Sequence, residues 1–188
     1  MPSAADSARS PVAFWLLTAS CAMAPDLDTI GFAFGVPYDD VLGHRGVTHS
    51  IAFAAVAGLA AARFYVGAAP PPTPPVGAKS ESGRFGVGSW PSGIGSWPLG
   101  VAWLYFSLVT MSHGVLDAFT DGGRGIALLW PFSPARFFFP WRPIRVSPIG
   151  IGFFSPRGLV VLASELRWIV LPSAISALIA RAVRTSTR

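Results

Sequence analysis

Apolar residues fall in four runs along this chain, and the polar ones gather between them. The first run, Pro11 to Ala24 (PVAFWLLTASCAMA), is about fourteen residues long. As a helix it reaches only about 21 Å, short of a hydrocarbon core about 30 Å thick. It therefore enters a membrane partway, or spans it with help. A signal peptide is the competing reading, since Ala22-Met23-Ala24 has the small-residue pattern of a cleavage site. Against it, Pro25 is a poor neighbour for cleavage, and the cut would release the segment that carries Asp26. The second run opens at His49 (SIAFAAVAGLAAARFYVGAA) and has about the twenty residues that a spanning helix needs. Its alanines and glycines suit close helix packing in lipid, and Arg63 near its far end can reach the headgroups. The third run, Leu99 to Phe119, ends on His113 and Asp117, and the fourth, Gly158 to Ala180, contains Glu165 and Arg167.

The intervening stretches complete the plan. Residues 1–10 are small and polar and read as a frayed N-terminus. Residues 70–98 begin with PPPTPP, which cannot be helical because proline lacks the N–H and clashes with the preceding turn. They read as a flexible or polyproline-like linker, with Trp90 and Trp97 at the membrane interface. From Gly122 to Arg157 the chain is rich in Gly, Pro, aromatics and arginine, which suits an interfacial cap better than a span. Residues 181–188 form a basic tail. The expected fold is all-α: one membrane-embedded domain over residues 11–180, with about four apolar helices and a Pro/aromatic-rich cap.

Composition supports lipid as the solvent. Of the 188 residues, 52% are hydrophobic and only 12% charged, whereas soluble domains carry about 25% charged residues. The net charge is +5, but the cations are scattered arginines with no basic arm, so nucleic acid is not an expected partner. The single Cys21 forms no internal disulfide. With up-and-down connectivity, the 25–48 loop, the end of the third run and the start of the fourth share one side of the membrane. That side would hold Asp26, Asp28, His44, His49, His113, Asp117 and Glu165. It would also hold six arginines against seven cations on the other side, so the positive-inside rule barely discriminates.

These ionisable groups form two sequence clusters, PDLD…HRGVTHS and SHGVLDAFTDGG, and no histidine lies outside them. In extended chain Asp26 and Asp28 point to one face and can share an ion; alternatively they only stop a helix after Pro25. His44 and His49 are five apart, the wrong spacing for one helix face, so HRGVTHS straddles a loop and a helix start. Gly46 is the expected bend, and Thr48 or Ser50 the expected cap. His113 and Asp117 share a helix face, as metal ligands or as a simple His–Asp hydrogen bond. Mixed nitrogen and carboxylate donors favour Zn²⁺, then Mn²⁺ or Fe²⁺, over Ca²⁺. Asp121 reads as a turn residue before Gly122-Gly123. Glu165, an acid inside an apolar run, is a functional candidate by default, its alternative partner being an arginine of the preceding loop.

PDLD, HRGVTHS, HGVLDAFTDGGRGIALLWPF and FFPWRPIRVSPIG together resemble membrane-bound metal-dependent hydrolases of the YdjM type, from about Pro11 to Leu171. A more distant similarity is to zinc phospholipase C and P1-type nucleases. The resemblance implies a multi-pass inner-membrane protein with metal or catalytic roles for Asp26, Asp28, His44, His49, His113 and Asp117, and with Arg45 and Glu165 close by. Phe14 stands where a histidine is expected of many members, which would cost the centre a ligand. The expected activity is hydrolysis of a phosphoester, of a small molecule or a lipid, by metal-activated water. Arg45 would grip the phosphate, and Glu165 would ligate or act as base. The alternatives are a metal or ion transporter, a metal-stabilised scaffold, and an inactive relative. Transport sites lie near the midplane between repeated halves, whereas these clusters lie at segment ends.

Overall fold

The computed structural model describes residues 11–67 and 97–186. The readings placed on residues 1–10, on nearly all of the linker and Trp90, and on the last two residues of the tail lie outside them. The described chain is helical: α1 is Pro11–Met23, α2 Ile51–Gly67, α3 Leu99–Ala118, and α4 runs Pro156–Ser186. Of these, α3 (20 residues) and α4 (31 residues) are long and apolar enough to cross a membrane. The second run is shorter as a helix than its sequence suggests, at 17 residues.

Proline sets where α1 begins and ends. Pro11 occupies the first turn, where its missing N–H costs nothing. Pro25 arrives just after Met23, and the chain tightens into a 3-10 helix, Ala24–Phe34. That helix ends at Gly35, whose φ of 78° turns its N–H back onto the Gly31 and Phe32 carbonyls. The stretch expected as loop is therefore helical for eleven residues. Ser50 starts α2 by accepting the Phe53 N–H at 3.0 Å.

The bundle core lies between α1, α2 and α3. Every fourth residue of α3 is buried: Ala102, Phe106, Thr110, Gly114 and Ala118, one stripe down the helix. Gly58 of α2 meets Ser107 of α3 so closely that an added Cβ would overlap the serine backbone and hydroxyl. Small residues of this kind let helices approach in lipid. Gly58→Val is expected to force the two helices apart and cost about 1–3 kcal/mol, the usual range for overpacking, read as a lowered melting temperature in detergent.

Phe14 belongs to this core and not to the polar end of the bundle. It is 5% exposed and packs on Tyr65, Trp97, Tyr105 and Phe106. Phe106 precedes His113 by seven residues, about 10 Å of helix. A residue at position 14 thus faces the opposite end of α3 from the histidines, and Phe14 leaves no gap among them. Trp97, expected at the interface, is half-buried against the same core.

The cap covers the other end of the bundle, from Phe119 to Ile149, without regular strands. Single bridges join Thr120 to Ile144 and Ile126 to Phe137. The Phe119 and Phe139 rings stack at 4.1 Å, and Trp141 meets Trp168 of α4 edge-on. Helix α4 contains a π-helical turn, Leu166–Val170, directly after Glu165, the kind of irregularity often found at functional sites. Beyond it, Leu171–Ser186 has no buried residue.

Candidate metal centre

Asp26 and Asp28 come from the 3-10 helix after α1, His44 and His49 from the loop before α2, and His113 and Asp117 from the last turns of α3. The fold brings all six together. One donor atom each from Asp26, His49, His113 and Asp117 lies within 4.8 Å of the other three. The His49 Nε2–Asp117 Oδ2 and His113 Nε2–Asp26 Oδ1 separations are both 3.2 Å. The Asp26 Oδ1–His49 Nε2 and His113 Nε2–Asp117 Oδ2 separations are 3.8 and 4.0 Å. Ligands about 2.1 Å from a tetrahedral ion stand about 3.4 Å apart, so these edges match the size of one such ion.

Asp28 is wired differently. Its side chain is 1% exposed. Oδ1 accepts from His44 Nδ1 at 2.8 Å. Oδ2 accepts from the Thr48 hydroxyl at 2.6 Å and the Arg45 N–H at 3.1 Å, and stands 3.4 Å from His49 Nδ1. Burial pushes this carboxyl up, but the hydrogen bonds from His44, His49 and Thr48 outweigh burial and hold it well below the carboxylate range. Asp28, His44 and His49 also form a second compact donor group.

The His49 ring decides what the four-donor group can hold. Nδ1 faces Thr48 Oγ1 at 3.0 Å and Asp28, so the proton belongs on Nδ1 and Nε2 keeps its lone pair. Nε2 and Asp117 Oδ2 are both buried and both lack a hydrogen-bond partner, though they face each other. Two acceptors so placed need a cation between them. A proton is the simplest such cation. Burial lowers the affinity of His49 for it, but Asp117 and Asp28 outweigh burial and raise the pKa. The donor set of two imidazoles and two carboxylates fits Zn²⁺, Mn²⁺ or Fe²⁺. Asp26 is the solvent-facing member, its side chain 51% exposed.

Arg45 lies beneath the cluster, 3% exposed, with φ at +65°. The left-handed residue of the HRG bend is thus Arg45, while Gly46 is required by close approach: a Cβ there would overlap the Val41 carbonyl. Arg45 Nη2 donates to Asp117 Oδ1 at 2.9 Å, and Nη1 donates to Thr120 Oγ1 and the Gly122 carbonyl at 3.0 and 2.9 Å. Gly123, at φ +82°, leaves the space this guanidinium fills. Both terminal nitrogens are committed to protein acceptors. Sequence reasoning took Thr48 for a cap and passed over Thr120 and Arg136, which donates to the His44 carbonyl at 3.0 Å. TH in HRGVTHS and FT in LDAFTDGG were the available signals.

A cavity of about 460 Å³ opens over the cluster, lined by Asp26, His44, His113 and Asp117 on one side and by Glu165 and Ile169 of α4 on another. Among the described residues, no cation lies within ion-pair distance of Glu165, and Arg167 instead stacks on Trp168. Asp121 accepts from Arg145 Nη1 at 2.6 Å and the Val146 N–H at 2.9 Å. It therefore stitches the cap as well as making a turn. Burial raises its pKa, but Val146 and Arg145 outweigh burial and hold it below the usual range. Its folded value lies below the unfolded one, so its contribution is full above about pH 4 and lost as pH falls through the folded value. Asp121→Asn is accordingly expected to lower the melting temperature at pH 7 and to have little effect near pH 2.5.

The family model described as YdjM inner membrane protein matches residues 2–187. The chain belongs to the YdjM family. It is also 37% identical over 152 residues to inner membrane protein YbcI of Escherichia coli (strain K12), an alignment covering 80% of this chain and 73% of that protein. No solved structure matches. This YdjM-family chain is therefore a multi-pass helical protein of the inner membrane, in contact with the lipid bilayer, and the polar cluster lies at one end of its bundle.

Proposed function

We propose that this protein is a metal-dependent hydrolase acting on a phosphoester. The observation that carries the reading is the buried, unpartnered pair His49 Nε2 and Asp117 Oδ2, completed by His113 and Asp26 around a volume of ionic size. A divalent ion there would polarise a phosphoryl oxygen and make a water nucleophilic at neutral pH. Asp26, His49, His113 and Asp117 would hold it. Asp28 orients the rings of His44 and His49 through Nδ1, the usual carboxylate–histidine support behind a metal, and His44 remains available on the cavity wall. Arg45 positions Asp117 and keeps it ionised, a role that replaces the expected grip on substrate. Glu165, across the cavity and unpaired, is placed to take a proton from the attacking water and return it to the leaving alcohol. A cluster at the helix ends, open to a cavity, favours hydrolysis over transport.

The test is metal content and turnover of the detergent-purified chain. Mass spectrometry is expected to find about one bound Zn²⁺ or Mn²⁺ per chain. Chelator should remove both the ion and phosphoesterase activity, and Glu165→Gln should remove activity while leaving the ion. A chain that binds no divalent ion and melts identically in chelator would refute the reading.

A further inference from the structure

The same cavity has two kinds of wall. Its polar side is the cluster, together with Arg145, whose side chain remains 62% exposed while Asp121 holds Nη1 and Ser164 holds its backbone N–H. Arg45 lines the cavity too, but its terminal nitrogens are consumed below. Arg145 is therefore the guanidinium with donors to spare for an anion seated over the cluster. The opposite side is apolar, built from Leu116, Ile149 and Ile169. This wall continues out of the cavity. Ile149 is 49% exposed, and the next turn, Gly150–Phe154, presents Ile151 and Phe154 at 90% and 87%. Two residues later α4 begins, a helix long and apolar enough to span. In an inner-membrane protein, apolar side chains that exposed, contiguous with a spanning helix, are covered by lipid.

From this layout we propose that the substrate is a phosphate-bearing membrane lipid, entering sideways past Ile149 between the cap and α4. Its phosphate lies between the cluster and Arg145, and its first carbons lie along Leu116, Ile149 and Ile169. The cavity volume is at the small end of ligand sites, which run about 300–1,000 Å³. It holds a headgroup and the start of a chain, while the remaining carbons stay in the bilayer. The inference rests on the phosphoester reading for its chemistry, but the binding geometry stands apart from turnover.

The experiment uses full-length, Zn²⁺-loaded protein in detergent micelles. Binding of dioleoyl phosphatidate is followed by tryptophan fluorescence, with glycerol 3-phosphate and inorganic phosphate as competitors, and hydrolysis of both esters is measured in parallel. Phosphatidate should bind at least tenfold more tightly than glycerol 3-phosphate. Ile149→Asn should weaken phosphatidate alone, and Arg145→Gln should weaken both esters. Melting temperature is recorded for each variant. Tight phosphatidate binding without turnover would uphold the lipid site and sink the hydrolase. Equal binding of the two esters, or an Ile149→Asn variant that is folded and binds phosphatidate normally, would overturn the lipid site, whether or not glycerol 3-phosphate is cleaved.

Discussion

His49→Gln should lower Zn²⁺ affinity by more than about 100-fold, beyond the 10–100-fold typical of losing a residue behind the metal, and abolish hydrolysis with it. His49 is the pivot because its two nitrogens face different tasks. Nδ1 is held by Thr48 and Asp28, and Nε2 is buried opposite Asp117 with nothing to bond. Glutamine keeps a comparable volume and a polar contact to Thr48, so folding should survive, but it cannot present a basic nitrogen at the Nε2 position. Asp28→Asn is the companion measurement. It leaves every nitrogen and oxygen of the four-donor group in place and should cost only about 10–100-fold in affinity. Metal content by mass spectrometry and competition with a chelating dye read both variants. If His49→Gln binds Zn²⁺ as the native chain does, the ion, if any, sits elsewhere.

Arg45→Ala should be the most destabilising single substitution in the cap, by about 3–5 kcal/mol, the cost of leaving a buried charge without its partner. The guanidinium joins Asp117 of α3 to Thr120 and Gly122 of the cap, and the Arg45 carbonyl accepts the Ala127 N–H at 3.0 Å. Its removal strands Asp117 and opens the space under Gly123. Arg45→Lys restores charge but not the planar fork, and should recover part of the loss. Arg45→Gly should fall slightly less far than Arg45→Ala, because a glycine at φ +65° avoids a backbone penalty of about 1–2 kcal/mol. Thermal melts in detergent give the order native, Lys, Gly, Ala. A native-like melt for Arg45→Ala would show that the cap is held by its own packing.

The sequence carried some of this plainly and some not at all. Histidines confined to HRGVTHS and SHGVLDAF, set beside PDLD in a chain so poor in charge, marked the cluster before any coordinates. Up-and-down connectivity then required Asp26, His49, His113 and Asp117 to lie on one side. The buried stripe of α3 was not legible, because Ala102, Phe106, Thr110, Gly114 and Ala118 sit in a helix whose other faces are equally apolar. Hydropathy cannot separate a side chain packed on protein from one packed on lipid. Phe14 misled for a related reason: its place in the first run is plain, but its height along α3 depends on how far α1 slides against the bundle.

What the residues alone determined is the medium and the ingredients: apolar runs too continuous for water, and a small set of nitrogen and carboxylate donors with no other work to do. The tertiary structure decided which atom of each donor faces which neighbour. It turned Asp28 inward to hold two imidazoles, buried Arg45 beneath Asp117, and left Arg145 and Glu165 on the cavity wall. Spacing along a chain fixes a helix face to within a turn, but hydrogen-bond direction and burial arise where separate segments meet, and those contacts exist only once the bundle and its cap have closed over one another.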